Sequence, residues 1–332
     1  MAIARIHQGG AIGFWRLGEA APARRGMKAW SLRWVLRVAA FLLGVVATRA
    51  ADDAQADRAR AILGCRGTYA LPPRAGDEQR VDIPRLLDEL VDLRANTYHW
   101  LIHAKATDWD DLKLFLPKAR EKGIRVWVTI CPPSEQPPKN PAYSEPFRLD
   151  FERWAVEIAK LSVAEPNLVA WSLDDFTHNL SVLTPDRMRG VVEGARAINP
   201  RLAFAPCAYF PRIQAKFIED YRDSIDGILF PYRAESVKAN LTDPSLVASE
   251  VEKLKAIAGP SLPIIVDVYA TRHSSLGDST PDYVRDVMTD AWKSADGVLV
   301  YCHQDPRKQA DKYNVIKELF REWAERDRES DR

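Results

Sequence analysis

From residue 64 onward the chain alternates short apolar runs with amphipathic helical stretches, eight of each. That alternation restricts the fold more than any other feature, because strands separated by helices lie parallel and must be covered by those helices. The apolar runs fall at 64–71, 95–103, 124–132, 168–176, 201–210, 226–233, 263–270 and 297–305. Eight strand–helix units in about 270 residues match the count and size of a single (β/α)8 TIM barrel, an α/β fold. A doubly wound open sheet is the alternative, but no Gly-rich phosphate turn follows the first run. There is no internal sequence repeat, low-complexity linker or second domain, so residues 51–332 are expected to form one barrel domain of catalytic type.

The helix ends are written in capping residues. Asp82, Asp108, Thr184, Thr242 and Thr280 are predicted N-caps, with Pro185 and Pro281 at the first helical position, where a missing N–H costs nothing. Gly123 and Gly259 stop helices in the manner of a left-handed C-cap. Trp109, Trp154, Trp292 and Trp323 fall within helical stretches and are expected between barrel and helices. The closing "ERDRESDR" reads as a solvated, frayed tail. One long excursion, "PPSEQPPKNPAYSEPF", follows the third strand, and its six prolines argue for an ordered extended loop over the barrel mouth.

The first fifty residues are of another kind. A basic segment (Lys28, Arg33, Arg37) leads into "VAAFLLGVVA" and then "TRAADD", the layout of a secretory signal with Ala50 as the last residue before cleavage. Met27 stands where such a signal begins, so residues 1–26 read as an over-extended start. The expectation is a secreted or periplasmic protein with no stable membrane span after cleavage, the apolar run being short for a span of roughly twenty residues. Export permits disulfides, but Cys65, Cys131, Cys207 and Cys302 are scattered through apolar runs and read as small buried hydrophobes, with a Cys65–Cys302 bridge as the one open pairing. A net charge of +1 gives no footprint for nucleic acid, so none is expected as a partner. No His-x-His or His-Glu-x-x-His spacing supports a metal at His103 or His303, and no cofactor motif is present.

In a barrel of this kind the chemistry lies at the C-terminal ends of the strands. Alternation in the seventh strand sends Ile264, Val266 and Val268 toward the helices and Asp267 and Tyr269 into the barrel. In the fourth, "LVAWSLDDF", it sends Ala170, Ser172 and Asp174 inward, with Asp175 at the lip. The other strand ends contribute Tyr69, His99, Trp100, His103, Lys105, Thr129, Tyr209, Tyr232, Arg233, Tyr301 and His303. An aromatic mouth with a few carboxylates and cations suits an oligo- or polysaccharide, since sugar rings stack on aromatics while their hydroxyls need placed polar groups. Two adjacent carboxylates cannot both ionise easily: one is driven toward its protonated form and can donate to a leaving oxygen, the other stabilises developing positive charge. That division of labour is glycoside hydrolysis.

The segments "GTY", "ANTYHW" with "HAK", "VTICPP" and "WSLDDF" resemble, in order and roughly in spacing, glycoside hydrolase family 84, the β-N-acetylglucosaminidase and hyaluronidase-like enzymes. The resemblance covers roughly a third of the chain. It departs from the family's pattern in "GTYA", in the longer spacing to the lysine and in "CPP". It implies a retaining, substrate-assisted hydrolysis in which Asp174 assists the 2-acetamido group and Asp175 is general acid and base. It further implies that Tyr98 and Lys105 belong to the second strand's sugar contacts, and that Asp267 and Tyr269 hold sugar hydroxyls. Two other readings stay open: a two-carboxylate glycosidase using Asp267, and a non-catalytic polysaccharide-binding barrel in which the Asp pair caps a turn or pairs with Arg233 or Lys105.

Overall fold

The protein is described here by a computed structural model that defines Arg37 and residues 53–330. The secretory segment expected within residues 1–50 therefore lies outside the described residues, apart from Arg37. Eight parallel strands build the barrel wall: β1 (Cys65–Tyr69), β2 (Thr97–Ile102), β3 (Arg125–Ile130), β4 (Leu168–Leu173), β5 (Ala203–Phe204), β6 (Ile228–Tyr232), β7 (Ile264–Tyr269) and β8 (Gly297–Tyr301). Eight helices alternate with them: α1 (Ile83–Asp92), α2 (Asp108–Glu121), α3 (Phe151–Ala164), α4 (Pro185–Arg196), α5 (Ala215–Tyr221), α6 (Val247–Ala258), α7 (Pro281–Ser294) and α8 (Ala310–Ser330). Neighbouring strands pair in the order β5-β4-β3-β2-β1-β8-β7-β6. The circuit is completed by a bridge between Cys207 and Leu229, with Leu229 N–H donating to the Pro206 carbonyl at 3.0 Å. This is the (β/α)8 barrel the alternation predicts. Only the fifth strand is cut short, because Pro206 offers no N–H to continue the ladder.

Side-chain alternation makes two apolar layers. Outward residues such as Val126, Trp171, Phe230 and Val266 pack against the helices, while Trp127, Ala170, Ala203, Leu229, Ile265 and Leu299 fill the barrel. Gly67 marks the closest strand approach: a Cβ there would lie 1.9 Å from the Thr97 carbonyl oxygen, so β1 tolerates no side chain at that point. Trp109, Trp154 and Trp323 are buried between barrel and helices, with Trp292 partly buried against them.

Asp82, Thr184 and Thr280 cap their helices by accepting from Arg85, Arg187 and Tyr283 N–H. Asp108 does not: Thr107 is the N-cap, and the Asp108 carboxylate instead accepts from the backbone of His103 and Lys105 and pairs with Arg74. Thr242 is no cap either, since α6 starts at Val247 and Thr242 belongs to a turn organised by Asn240. The closing segment stays helical to Ser330, stitched by Arg321–Glu325 and Glu322–Arg326 pairs one turn apart, rather than fraying at Glu325. All four cysteines are buried and free. A Cys65–Cys302 bridge is ruled out by register: Cys65 lies opposite Gly297, five residues below Cys302, or roughly 16 Å at strand rise. Among the described residues no helix is long and apolar enough to cross a membrane.

Candidate active site

The strand β4 ends at Leu173, and the chain then turns sharply within the barrel mouth. Asp174 N–H donates to the Ile130 carbonyl of β3 at 3.0 Å, and Phe176 N–H donates to the Cys207 carbonyl beyond β5 at 3.0 Å, so the turn is laced to both flanking strands. Asp175 between them adopts the left-handed region (φ 44°, ψ 33°), which costs a non-glycine residue about 1 kcal/mol or more. That conformation sends the two adjacent carboxylates in different directions.

Their environments drive them apart electrostatically. Asp174 is pushed up to about 7, first by burial and then by the neighbouring Asp175, with Glu135 adding to the effect and the Cys207 thiol opposing it. Burial also pulls Asp175 upward, but His178 and Tyr209 together outweigh it and hold its carboxyl below the usual range. The Tyr209 hydroxyl donates to Asp175 Oδ1 at 2.5 Å, and His178 Nδ1 stands 3.6 Å from Oδ2. Among the described residues neither Arg233 nor Lys105 pairs with these carboxylates; Arg233 pairs with Glu235. The raised carboxyl of the pair is thus Asp174, whereas the resemblance had put the general acid at Asp175.

Asp267 lies deeper in the barrel, 3% exposed, with one carboxylate oxygen free of any hydrogen bond. Burial, reinforced by Asp174, drives it well above the usual carboxylate range. Around these acids stand the rings of Tyr69, Tyr209, Tyr269 and Tyr301. Tyr301 packs against Tyr69 at 5.2 Å and against Tyr269 at 5.5 Å between ring centres. Tyr209 is sandwiched between His178, stacked at 4.4 Å, and the Arg233 guanidinium at 4.2 Å. Below them His99 stacks on Tyr69 at 4.2 Å; burial pushes it down to about 3, so it forms a neutral aromatic floor.

Eight of the predicted residues therefore meet at the mouth: Tyr69, Asp174, Asp175, Tyr209, Arg233, Asp267, Tyr269 and Tyr301. Others stand elsewhere. Tyr98, Trp100 and Tyr232 face outward into the helix layer and are wholly buried, Tyr98 donating to the Ala70 carbonyl and Tyr232 to that of Asp243. They belong to the core, because β2 points His99 inward and its two neighbours the other way, and β6 points Leu229 inward and Phe230 and Tyr232 outward. His303 is also buried behind β1, bonded to Thr68 Oγ1 at 2.9 Å and Glu89 at 2.8 Å. His103 and Lys105 sit on the loop after β2; the His103 ring meets the Glu135 carbonyl at 2.9 Å, and Lys105 is exposed.

The structure adds residues that sequence patterning missed. Glu135 comes to the acid pair from the proline-rich loop, which is ordered by buried Gln136 and Ser144, the latter donating to the Ile102 carbonyl at 2.6 Å. His178 follows Asp175 by three residues on a single 3-10 turn (Phe176–His178). His273, on the hairpin after β7, packs edge-on to Tyr269 at 5.8 Å. The only sequence mark of Glu135 was an acid embedded in prolines. No group of three or more His, Cys, Asp or Glu among the described residues is arranged to hold a metal ion.

The eight-stranded parallel barrel is also the fold of solved glycosidase domains. A glucosidase from Croceicoccus marinus superposes with a TM-score of 0.57 at 13% identity, over 79% of this chain and 68% of that one. A GH2 β-galacturonidase from Eisenbergiella tayi gives 0.51 at 12% identity, over 78% and 51%, and a β-D-glucuronidase from Dictyoglomus thermophilum gives 0.50 at 14%, over 78% and 50%. The chain spans about half the length of the last two. At such identities the likeness establishes the fold, and it does not single out family 84. No protein-family model matches the chain, and no curated protein matches it either.

Proposed function

We propose that the protein is an exported glycoside hydrolase whose general acid is Asp174 and whose charged partner is Asp175. The observation that carries this reading is that two adjacent carboxyls at an aromatic barrel mouth have different partners: Asp175 accepts from the Tyr209 hydroxyl and faces His178, which hold it low, while Asp174 is buried beside that charge and pushed upward. Asp174 gives its proton to the glycosidic oxygen as the C1–O bond breaks. In the sharpest version the substrate is a 2-acetamido sugar: its acetamido oxygen bonds to C1 while Asp175 orients the acetamido N–H, and water, activated by the now ionised Asp174, then opens the intermediate. The roles are reversed relative to those implied by the family 84 resemblance, on the electrostatic grounds given above.

A second reading has one observation in its favour. Asp267 keeps an unbonded carboxylate oxygen and feels the charge of Asp174 from another strand, as a nucleophile across the scissile bond would. Against it, burial raises the Asp267 carboxyl well above the usual range and so disfavours the charged form that a nucleophile needs.

A panel of chromogenic glycosides with and without a 2-acetamido group, given to wild type, Asp174→Asn, Asp175→Asn and Asp267→Asn, tests the assignment. The proposal expects turnover confined to 2-acetamido sugars and reduced about 10²–10⁴-fold by either of the first two substitutions. Turnover of plain hexosides, lost in Asp267→Asn, would instead assign the two-carboxylate mechanism. Sugar binding without turnover in all four proteins would make the barrel a binding module.

A further inference from the structure

Beyond the mouth, on the side of β7, β8 and β1, two cavities of about 640 and 630 Å³ lie side by side and share Lys308 and Gln309 as a common ridge. The first adjoins the mouth directly: its walls include Leu71, two residues past Tyr69, and Cys302, next to Tyr301. The second opens between the hairpin Arg272–His273/Gly277–Asp278 and the start of α8.

The ridge and the hairpin are fixed in place. Asp305 Oδ1 accepts the backbone N–H of Arg307 at 2.8 Å, Asp305 Oδ2 lies 2.9 Å from Arg85, and the Gln309 side chain accepts the Asp305 N–H at 2.8 Å. Lys312 on α8 reaches Asp278 on the hairpin at 2.7 Å, tying one wall of the second cavity to the other. These bonds use Asp278 and Asp305 and leave three cations over, against one carboxylate, Asp311, that also lines the second cavity. Arg272, Arg307 and Lys308 are exposed, line the second cavity, and form no ion pair among the described residues, whereas many surface cations elsewhere, such as Lys113, Lys160, Arg189 and Lys216, pair with an acid three or four residues away. The first turns of α7 and α8 border the same cavity and add partial positive charge. In a chain whose net charge is only +1, this excess is local.

We infer that the trench is an extended subsite for a polyanionic glycan, a chain bearing carboxylate or sulfate groups, whose charges lie over Arg272, Arg307 and Lys308 while one of its sugars occupies the mouth. The inference deepens the proposed function and rests on it for the reacting sugar. The charges of Asp175 and Glu135 at the mouth repel anions there, so the charged groups are held a sugar or more away from the bond that is cut.

The test is equilibrium binding of the full chain to polygalacturonate, dextran sulfate, neutral dextran and a single-stranded DNA probe, at 50 and 200 mM salt. The same measurements are made on the triple variant Arg272→Ala, Arg307→Ala, Lys308→Ala and on the single variant Lys308→Glu. Expected is binding to one or both charged glycans, weakened at least tenfold by the higher salt and at least tenfold by the triple substitution, with no binding of dextran. Preference for polygalacturonate or for dextran sulfate identifies carboxylate or sulfate as the recognised group. Should the triple variant not fold, as read by circular dichroism, a threefold or greater loss in Lys308→Glu serves in its place. Failure of wild type to bind either charged glycan, or equal binding by the variants, overturns the inference; DNA bound as tightly as the glycans overturns the assignment to a sugar polymer. Hydrolysis of short aryl glycosides is expected to be unchanged in both variants, so its loss in Asp174→Asn reports on the proposed function separately.

Discussion

The hydroxyl of Tyr209, from the loop after β5, donates to Oδ1 of Asp175, from the turn after β4, at 2.5 Å. This bond crosses between strand ends and, after His178, helps hold the Asp175 carboxyl below the usual range beside an acid that is pushed the other way. Tyr209→Phe removes it while preserving the ring that His178 and Arg233 sandwich. A charge-assisted hydrogen bond is worth about 1.5–3 kcal/mol, so Asp175 should titrate about one to two pH units higher in the variant. The acid limb of the kcat/KM profile is expected to move up accordingly, with little change near neutrality. A uniform fall at every pH would mean that Tyr209 acts on the substrate and not through Asp175.

Asp174 sets the opposite limb. Activity that needs its protonated form falls as pH rises through about 7. Stability follows the same group. A carboxyl whose folded pKa lies above its unfolded value stabilises the fold fully below pH 4, and the contribution is lost as pH rises toward and past 7. Asp174→Asn should therefore be about 10²–10⁴-fold less active yet more stable than wild type at pH 8, by up to about 4 kcal/mol, and close to wild type at pH 4. Thermal melts at both pH values check the sign: a variant destabilised at pH 8 would show that the charged form is the one the fold accommodates.

Much of this site could be read from the chain because strand periodicity is strict. Period two alone sends Asp174, Asp267 and Tyr269 inward, and the structure brings the three together beside Tyr301. The same rule, applied to β2, sends His99 inward and Tyr98 and Trp100 outward; those two entered the candidate list through family resemblance and aromatic chemistry, which carry no direction. Roles were harder to read than positions. Which of two adjacent acids is protonated depends on Tyr209, His178, Cys207 and Glu135, brought from three loops and a neighbouring strand end by tertiary packing. Glu135 was illegible because a proline-rich loop has no period from which to infer where a side chain points. The cap at Asp108 failed for a related reason: its carboxylate is taken by Arg74 and the β2 loop, partners remote from any helix signal.

Glu135 has a measurable consequence of its own. Its charge is one of the influences that raise Asp174, and its side chain is held by Lys139 at 2.6 Å and Asn140 at 2.9 Å. Glu135→Gln keeps the shape and removes the charge, so Asp174 should ionise more readily. The basic limb of the activity profile is expected to move down by about half a pH unit, roughly 0.7 kcal/mol. An unmoved limb would separate Glu135 from the acid pair.

The far end of the barrel offers a control that leaves the mouth alone. Asp226, fully buried just before β6, accepts from Arg58 Nε at 2.8 Å, from Arg196 at 3.1 Å and from the Phe204 N–H of β5 at 2.9 Å. Arg58 belongs to the helix over 53–62, whose Ile62 packs into the barrel base, so the cluster clamps that helix, α4 and the β5–β6 junction together. Asp226→Ala leaves two guanidinium groups facing a void without their anion, which should cost about 3–5 kcal/mol. In a domain of this size that is a fall in Tm of roughly 6–15 °C, measurable by calorimetry. Specific activity at 25 °C is expected to stay near wild type, since no atom of the cluster touches Asp174 or Asp175. A loss of activity without a loss of stability would mean that the base and the mouth of the barrel are coupled.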